Sequence, residues 1–111
     1  MPITGQDAEL TGIQNILAGK QYMTVYKAIK PEAEQAATLA VDLAKGKKDS
    51  APATTKTAGG ASIPSYLLQP VAVTASNIES TVVKDQFYGS NSASQICTAD
   101  FAAACAKYGI K

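Results

Sequence analysis

An α/β fold built on parallel strands with flanking helices is what the order of the segments predicts. Three observations carry it. Short β-rich runs alternate with two segments of helical periodicity, both helices stop at a glycine, and a third β-rich run follows. A β-α-β-α-β order implies a parallel sheet with right-handed crossovers. Parallel sheets need both faces covered, and three strands with two or three helices cannot do that, so the fold reads as incomplete.

Each element has its own signal. Ile3 and Thr4 before Gly5 predict a short buried strand, and Met1-Pro2-Ile3-Thr4 reads as a strand already under way. From Ala8 to Ala18, Leu10, Ile13, Ile16 and Leu17 recur at helical spacing, and Gly19 stands where a C′ glycine belongs. Gln21 to Tyr26 reads as a strand with Tyr22, Thr24 and Tyr26 on one face. A second helix over 31–45 starts at Pro31, carries Glu32 and Glu34 in its first turn and stops at Gly46. Its small residues Ala33, Ala36, Ala37, Ala40 and Ala44, with Leu43, predict an inner face packed closely on a sheet.

Residues 46–62 lack large apolar side chains and read as a solvated loop. Tyr66 to Val73 reads as a third strand, confined by Pro70 to an edge, a bend or a crossing point. Ser76-Asn77-Ile78-Glu79 has the form of a capping box, Val82 and Val83 anchor the next segment, and Ala99 to Lys107 reads as a short helix with Phe101 inward.

Composition narrows the function. At 111 residues the chain holds one small domain, not two with separate cores. The net charge of +1 and the absence of arginine argue against nucleic acid, whose phosphates demand clustered cations. Histidine is absent, removing the commonest general base and metal ligand together. No metal spacing, phosphate loop or nucleophile elbow occurs, so neither a cofactor nor an enzyme is expected. No apolar run approaches the roughly 18 residues that span a bilayer.

Two charged residues stand out. Asp7 follows the first strand and Lys27 closes the second, twenty residues later. In an open α/β sheet, polar ligands bind in the crevice beyond the carboxyl ends of strands. Asp7 could cap the helix that follows, or accept hydrogen bonds from ligand hydroxyls. Lys27 could be an ordinary solvated lysine, or donate to a ligand oxygen. Tyr22 and Tyr26 could stack on an apolar ligand face, or pack against neighbours.

Cys97 and Cys105 form an even pair. Eight residues of continuous helix would hold their Cα atoms about 12 Å apart, against the roughly 4.4–6.8 Å a bridge tolerates. A bridge therefore requires Cys97 to fold back or the helix to be short.

The segments GQDAELTGIQNILAGKQYMTVYK and IPSYLLQPVAVTASNIESTVVKDQFY, with the alanine-rich helix between them, resemble the C-terminal part of D-xylose-binding proteins over roughly residues 2–88. These are the extracytoplasmic solute-binding components of sugar ABC transporters, with the periplasmic-binding-protein type I fold. The two-cysteine tail resembles versions from Gram-positive bacteria.

The resemblance implies two Rossmann-like lobes that close on a monosaccharide, xylose or similar, and present the closed form to a membrane permease. It implies that Asp7 and Lys27 hydrogen-bond the sugar, with the rest of the pocket in an N-terminal part upstream. It further implies that 1–27 belongs to the second lobe, 28–65 to the first, and 66–111 to the return crossing and tail. Two positions depart from the pattern: Ala28 stands where proline is usual, and Gln86 where the glycine of Asp-Gly-Phe is expected. An effector-binding part of a LacI-type regulator shares this fold, as does a sugar-sensing partner of a membrane histidine kinase. Both stand as alternatives.

Overall fold

The computed structural model describes residues 1–48 and 50–111. Asp49, inside the predicted 46–62 loop, lies outside the described residues. The chain divides into two units, one of residues 1–28 with 70–111 and the other of residues 29–69.

In the first unit, α1 spans Leu10–Leu17 and buries Ile13, Ile16 and Leu17, the stripe that the helical spacing predicts. Gly19 follows at φ +72°, a left-handed turn that glycine adopts without a Cβ clash. β1 is Thr24–Tyr26, with Thr24 and Tyr26 turned into the core. The predicted Ile3–Thr4 strand is reduced to a single parallel bridge, Thr4 to Met23. It is flanked by N–H donations from Gly5 to the Met23 carbonyl (2.9 Å) and from Tyr22 to the Ile3 carbonyl (2.7 Å).

The third strand is shorter than expected. Of Tyr66 to Val73, only Val71–Val73 is extended in a ladder (β4 below), whereas Leu67 and Leu68 lie in no strand and are exposed. That strand pairs antiparallel with β1, Thr24 opposite Val73 and Tyr26 opposite Val71. The right-handed crossover rule concerns strands that return parallel. Here the chain leaves the first unit after Ala28, re-enters at Pro70 and lies antiparallel to β1 in the same sheet, so the rule does not apply.

The capping box does not form. Asn77 governs that turn instead: its Oδ1 accepts the Thr74 N–H at 2.8 Å and its Nδ2 donates to the Ala72 carbonyl at 2.9 Å. Ser76 faces the Thr74 hydroxyl, and the Glu79 carboxylate accepts the Lys111 N–H. A π-helical turn over Glu79–Val83 follows, burying Val82 but leaving Val83 only partly covered. Gln86 has φ +51°, a conformation glycine adopts freely, which gives the departure from Asp-Gly-Phe a backbone cost of its own.

The tail holds more structure than its polarity suggests. A short helix, Ser92–Ile96, buries Ser92 and Ile96, and a 3₁₀ turn over Ala99–Phe101 leads into a last helix, Ala102–Tyr108. Because the two helices are separate, Cys97 folds back toward Cys105. Their Cα atoms stand 5.9 Å apart and the two sulfurs are bonded.

The second unit contains α2 (Ile29–Ala44), β2 (Ala53–Lys56) and β3 (Ser62–Ser65). With β4 (Val71–Val73) in the first unit, α3 (Ser92–Ile96) and α4 (Ala102–Tyr108) complete the chain. β2 and β3 form an antiparallel hairpin whose first strand and turn fall within 46–62, the segment expected to be a loop. Its turn is Gly59-Gly60, where Gly60 has φ +81° and the Thr57 carbonyl accepts the Gly60 N–H at 2.9 Å. Threonine-rich flanks favour extended backbone, and a ladder of main-chain hydrogen bonds needs no large apolar side chains.

No described residue of 29–69 is buried. The predicted inner face of α2 therefore stands open: Ala33, Ala36, Ala37, Ala40, Leu43 and Ala44 are all exposed. The helix ends at Ala44, ahead of Gly46, which adopts φ +71°, but no described residue of the unit buries the face that its small residues form. All eleven buried apolar residues, from Ala8 to Ile110, belong to the first unit.

Candidate functional site

The site lies on the turn that joins the bridge at Thr4 to α1. Asp7 and Ala8 both adopt left-handed backbone, at φ +70° and +48°. Left-handed conformation costs a non-glycine residue roughly 1–2 kcal/mol, so two in succession must be held. Ala8 is fully buried, its N–H donates to the Thr24 hydroxyl at 3.2 Å, and its carbonyl accepts the Tyr88 hydroxyl. The Asp7 side chain is thereby turned outward.

Asp7 is not a cap. α1 begins three residues later at Leu10, with Glu9 at the N-cap position and no side-chain cap bond. The Asp7 carboxylate instead pairs with Lys27, Oδ1 to Nζ at 2.5 Å, and Lys27 also donates to the Gln6 Oε1 at 3.2 Å. The structure thus brings the two predicted residues together, and adds Gln6, which no spacing singled out. Both charged side chains are more than half exposed, Lys27 at 51% and Asp7 at 60%. An exposed pair of this kind is worth about 0–1 kcal/mol. A ligand hydroxyl can therefore insert between the two groups at little cost, accepting from one and donating to the other.

The two tyrosines weighed beside them do not share that surface role. Tyr26 is buried, donates its hydroxyl to the Asp85 carboxylate at 2.9 Å and packs edge-on against Phe87 at 5.0 Å. Tyr22 is exposed and lines a groove of about 560 Å³ with Ile3, Ile16, Lys20, Ser76 and Tyr108, to which neither Asp7 nor Lys27 contributes. Among the described residues no group of His, Cys, Asp or Glu could hold a metal ion, and no helix is long and apolar enough to cross a membrane.

Burial, then the bond to Asp85, pushes the Tyr26 phenol up to about 12 from an ordinary 10. Burial raises Tyr88 as well, with a smaller push from Tyr26. A raised tyrosine pKa means that the folded state binds the proton more tightly than the unfolded state. That stability is fully present below pH 10 and is lost as pH rises through about 12. The denaturation midpoint should fall across that window, and Tyr26→Phe should make the fall shallower.

No protein-family model matches the chain. It is 48% identical over 86 residues to the D-xylose-binding periplasmic protein of Haemophilus influenzae, covering 78% of this chain and 26% of that protein. Against the protein of the same name from Escherichia coli K12 the identity is 49%, with the same coverage. Over that stretch the chain is similar to these D-xylose-binding periplasmic proteins.

It spans about a quarter of the length of the curated relatives it matches. The multiple sugar-binding periplasmic receptor ChvE of Rhizobium radiobacter is 34% identical, again over 78% of this chain and 25% of its own. Among solved structures, an ABC transporter solute-binding protein from Clostridium phytofermentans with bound β-D-glucose superposes with a TM-score of 0.73 at 28% identity. That match covers 86% of this chain and 29% of the other. A carbohydrate transporter solute-binding protein from Chloroflexus aurantiacus, in complex with D-glucose, has the same TM-score at 30% identity, covering 82% of this chain and 26% of its own. The α/β class therefore stands, as part of a periplasmic-binding-protein fold. These relatives are binding and transport proteins rather than enzymes, and favour neither the LacI-type regulator nor the kinase partner.

Proposed function

We propose that this chain is the C-terminal portion of a monosaccharide-binding component of an ABC transporter, with a xylose-type sugar as ligand. Asp7 accepts from sugar hydroxyls and Lys27 donates to a sugar oxygen, within a cleft that closes by shifting a population of open and closed forms. The observation that carries the reading is the outward-turned, half-exposed Asp7–Lys27 pair on a turn held in left-handed backbone. Binding alone is proposed, with no reaction.

Two contacts do not make a sugar pocket. The remaining walls belong to an N-terminal part of the same protein, and segment 28–65 packs in the first lobe while 1–27 and 66–111 serve the second. The uncovered face of α2 and the absence of any buried described residue across 29–69 support that division. The complete protein works outside the cytoplasm, in the periplasm or anchored at the cell surface, and delivers sugar to a permease. The relatives described as periplasmic support this placement.

Calorimetric titration of the complete protein with D-xylose, D-ribose and D-glucose tests the reading. One saturable site is expected, and Lys27→Met should weaken the preferred sugar by about 1–3 kcal/mol, the range for a hydrogen bond from a charged group. Saturable sugar binding that Lys27→Met leaves unchanged would exclude Lys27 from the pocket.

A further inference from the structure

Asp7 can meet a ligand only while its turn is held in an unfavourable backbone conformation, and the groups that hold it lie elsewhere in the chain. We infer that Thr24 and Tyr88 are positioning residues for the Asp7 carboxylate, acting through the N–H and the carbonyl of the buried Ala8. The inference deepens the sugar-binding reading and rests on it.

The geometry is a clamp. The Thr24 hydroxyl, buried in β1, accepts the Ala8 N–H at 3.2 Å. From the opposite end of the sequence, the Tyr88 hydroxyl donates to the Ala8 carbonyl. Residue 8 thus has both its backbone polar groups satisfied by side chains, one 16 and the other 80 positions away. Each bond offsets part of the cost of holding two successive non-glycine residues in left-handed backbone, so loss of either hydroxyl lets the turn relax.

Tyr88 is itself held by the tail. Its N–H donates to the Ser92 hydroxyl at 3.0 Å, and its carbonyl accepts the Gln95 Nε2 at 2.6 Å. Gln95 is tied in turn to α1, where the Gln14 Nε2 donates to its carbonyl at 3.3 Å. Neither Thr24 nor Tyr88 need touch the ligand: the first is 1% exposed, and the second spends its hydroxyl on Ala8.

The test is a double-mutant comparison on the complete protein, read by calorimetry with D-xylose. Thr24→Val and Tyr88→Phe keep shape and remove one hydroxyl each. Each should weaken D-xylose about tenfold, the scale of losing a group that orients a ligand-contacting residue. Thr24→Ser should restore affinity. In an Asp7→Ala background both substitutions should change affinity by less than about twofold, because contacts that act through one residue are not additive.

Equal losses in both backgrounds, or no loss in either, would overturn the positioning role while leaving sugar binding by Asp7 intact. An Asp7→Ala variant that binds like the parent would remove Asp7 from the pocket and the positioning role with it, whereas a parent that binds none of the three sugars would remove the sugar-binding reading itself. Amide exchange at Ala8 reads the clamp without ligand: Thr24→Val should speed it at least about tenfold and Thr24→Ser should not. An unchanged Ala8 rate in Thr24→Val also overturns the proposal.

Discussion

On the proposed function, Asp7→Ala should weaken D-xylose binding by the complete protein by about 1–3 kcal/mol, roughly 5- to 150-fold in Kd. The expected loss is that of a ligand hydroxyl left without its carboxylate acceptor in the proposed cleft. Little of it comes from the ion pair with Lys27, since that pair is exposed and contributes about 0–1 kcal/mol. Alanine also tolerates φ +70° less well than aspartate does, which would add a backbone effect to the measured loss. Asp7→Asn separates the two, because asparagine adopts left-handed backbone readily and keeps the shape without the charge. Titration calorimetry on both variants should show most of the loss already present in Asp7→Asn. Parent-like affinity in both would remove Asp7 from the pocket.

The second large effect is on stability. Ile13→Ala should destabilise the chain by about 2–5 kcal/mol, the usual cost of truncating a fully buried aliphatic side chain. Ile13 is 0% exposed and belongs to the single cluster that also holds Ile16, Val73, Ile78 and Ile96. The whole buried apolar core is in that cluster, so nothing elsewhere can compensate. Leu43→Ala, on the open face of α2, should cost less than about 0.5 kcal/mol, as for a surface substitution. Urea titrations of the two variants give the comparison directly. A similar loss in both would mean that Leu43 is buried in solution.

That contrast also shows where sequence reasoning succeeds and where it stops. Leu10, Ile13, Ile16 and Leu17 mark α1 because their periodicity and their burial coincide. Asp7 and Lys27 are brought together as an ion pair, although only Lys27 follows a strand and the segment before Asp7 forms a single bridge. The stripe on α2 is just as periodic, yet it is exposed here, because periodicity reports a face suited to burial and not the surface that covers it. The β2–β3 hairpin was illegible to a search for large apolar residues. Its signal was Thr54, Thr55 and Thr57 before Gly59-Gly60.

The capping-box pattern at Ser76 misled for a different reason. Asn77 had a better local use as a turn former, bridging the Thr74 N–H and the Ala72 carbonyl. The disulfide geometry turned on one assumption, a continuous helix between Cys97 and Cys105, and the break before the 3₁₀ turn removes it. Gln6, Thr24 and Tyr88 carried no signal at all as parts of the site. Their roles come from the left-handed turn at Asp7 and Ala8, and no residue in Gly5-Gln6-Asp7-Ala8-Glu9 announces that turn beyond Gly5.

The most direct measurement is a crystal structure of the complete protein with D-xylose bound. The account predicts an Asp7 oxygen and the Lys27 Nζ each within about 3.2 Å of a sugar oxygen, the normal hydrogen-bond range, with the Ala8 peptide still held by Thr24 and Tyr88. A bound sugar that touches neither Asp7 nor Lys27 would contradict it.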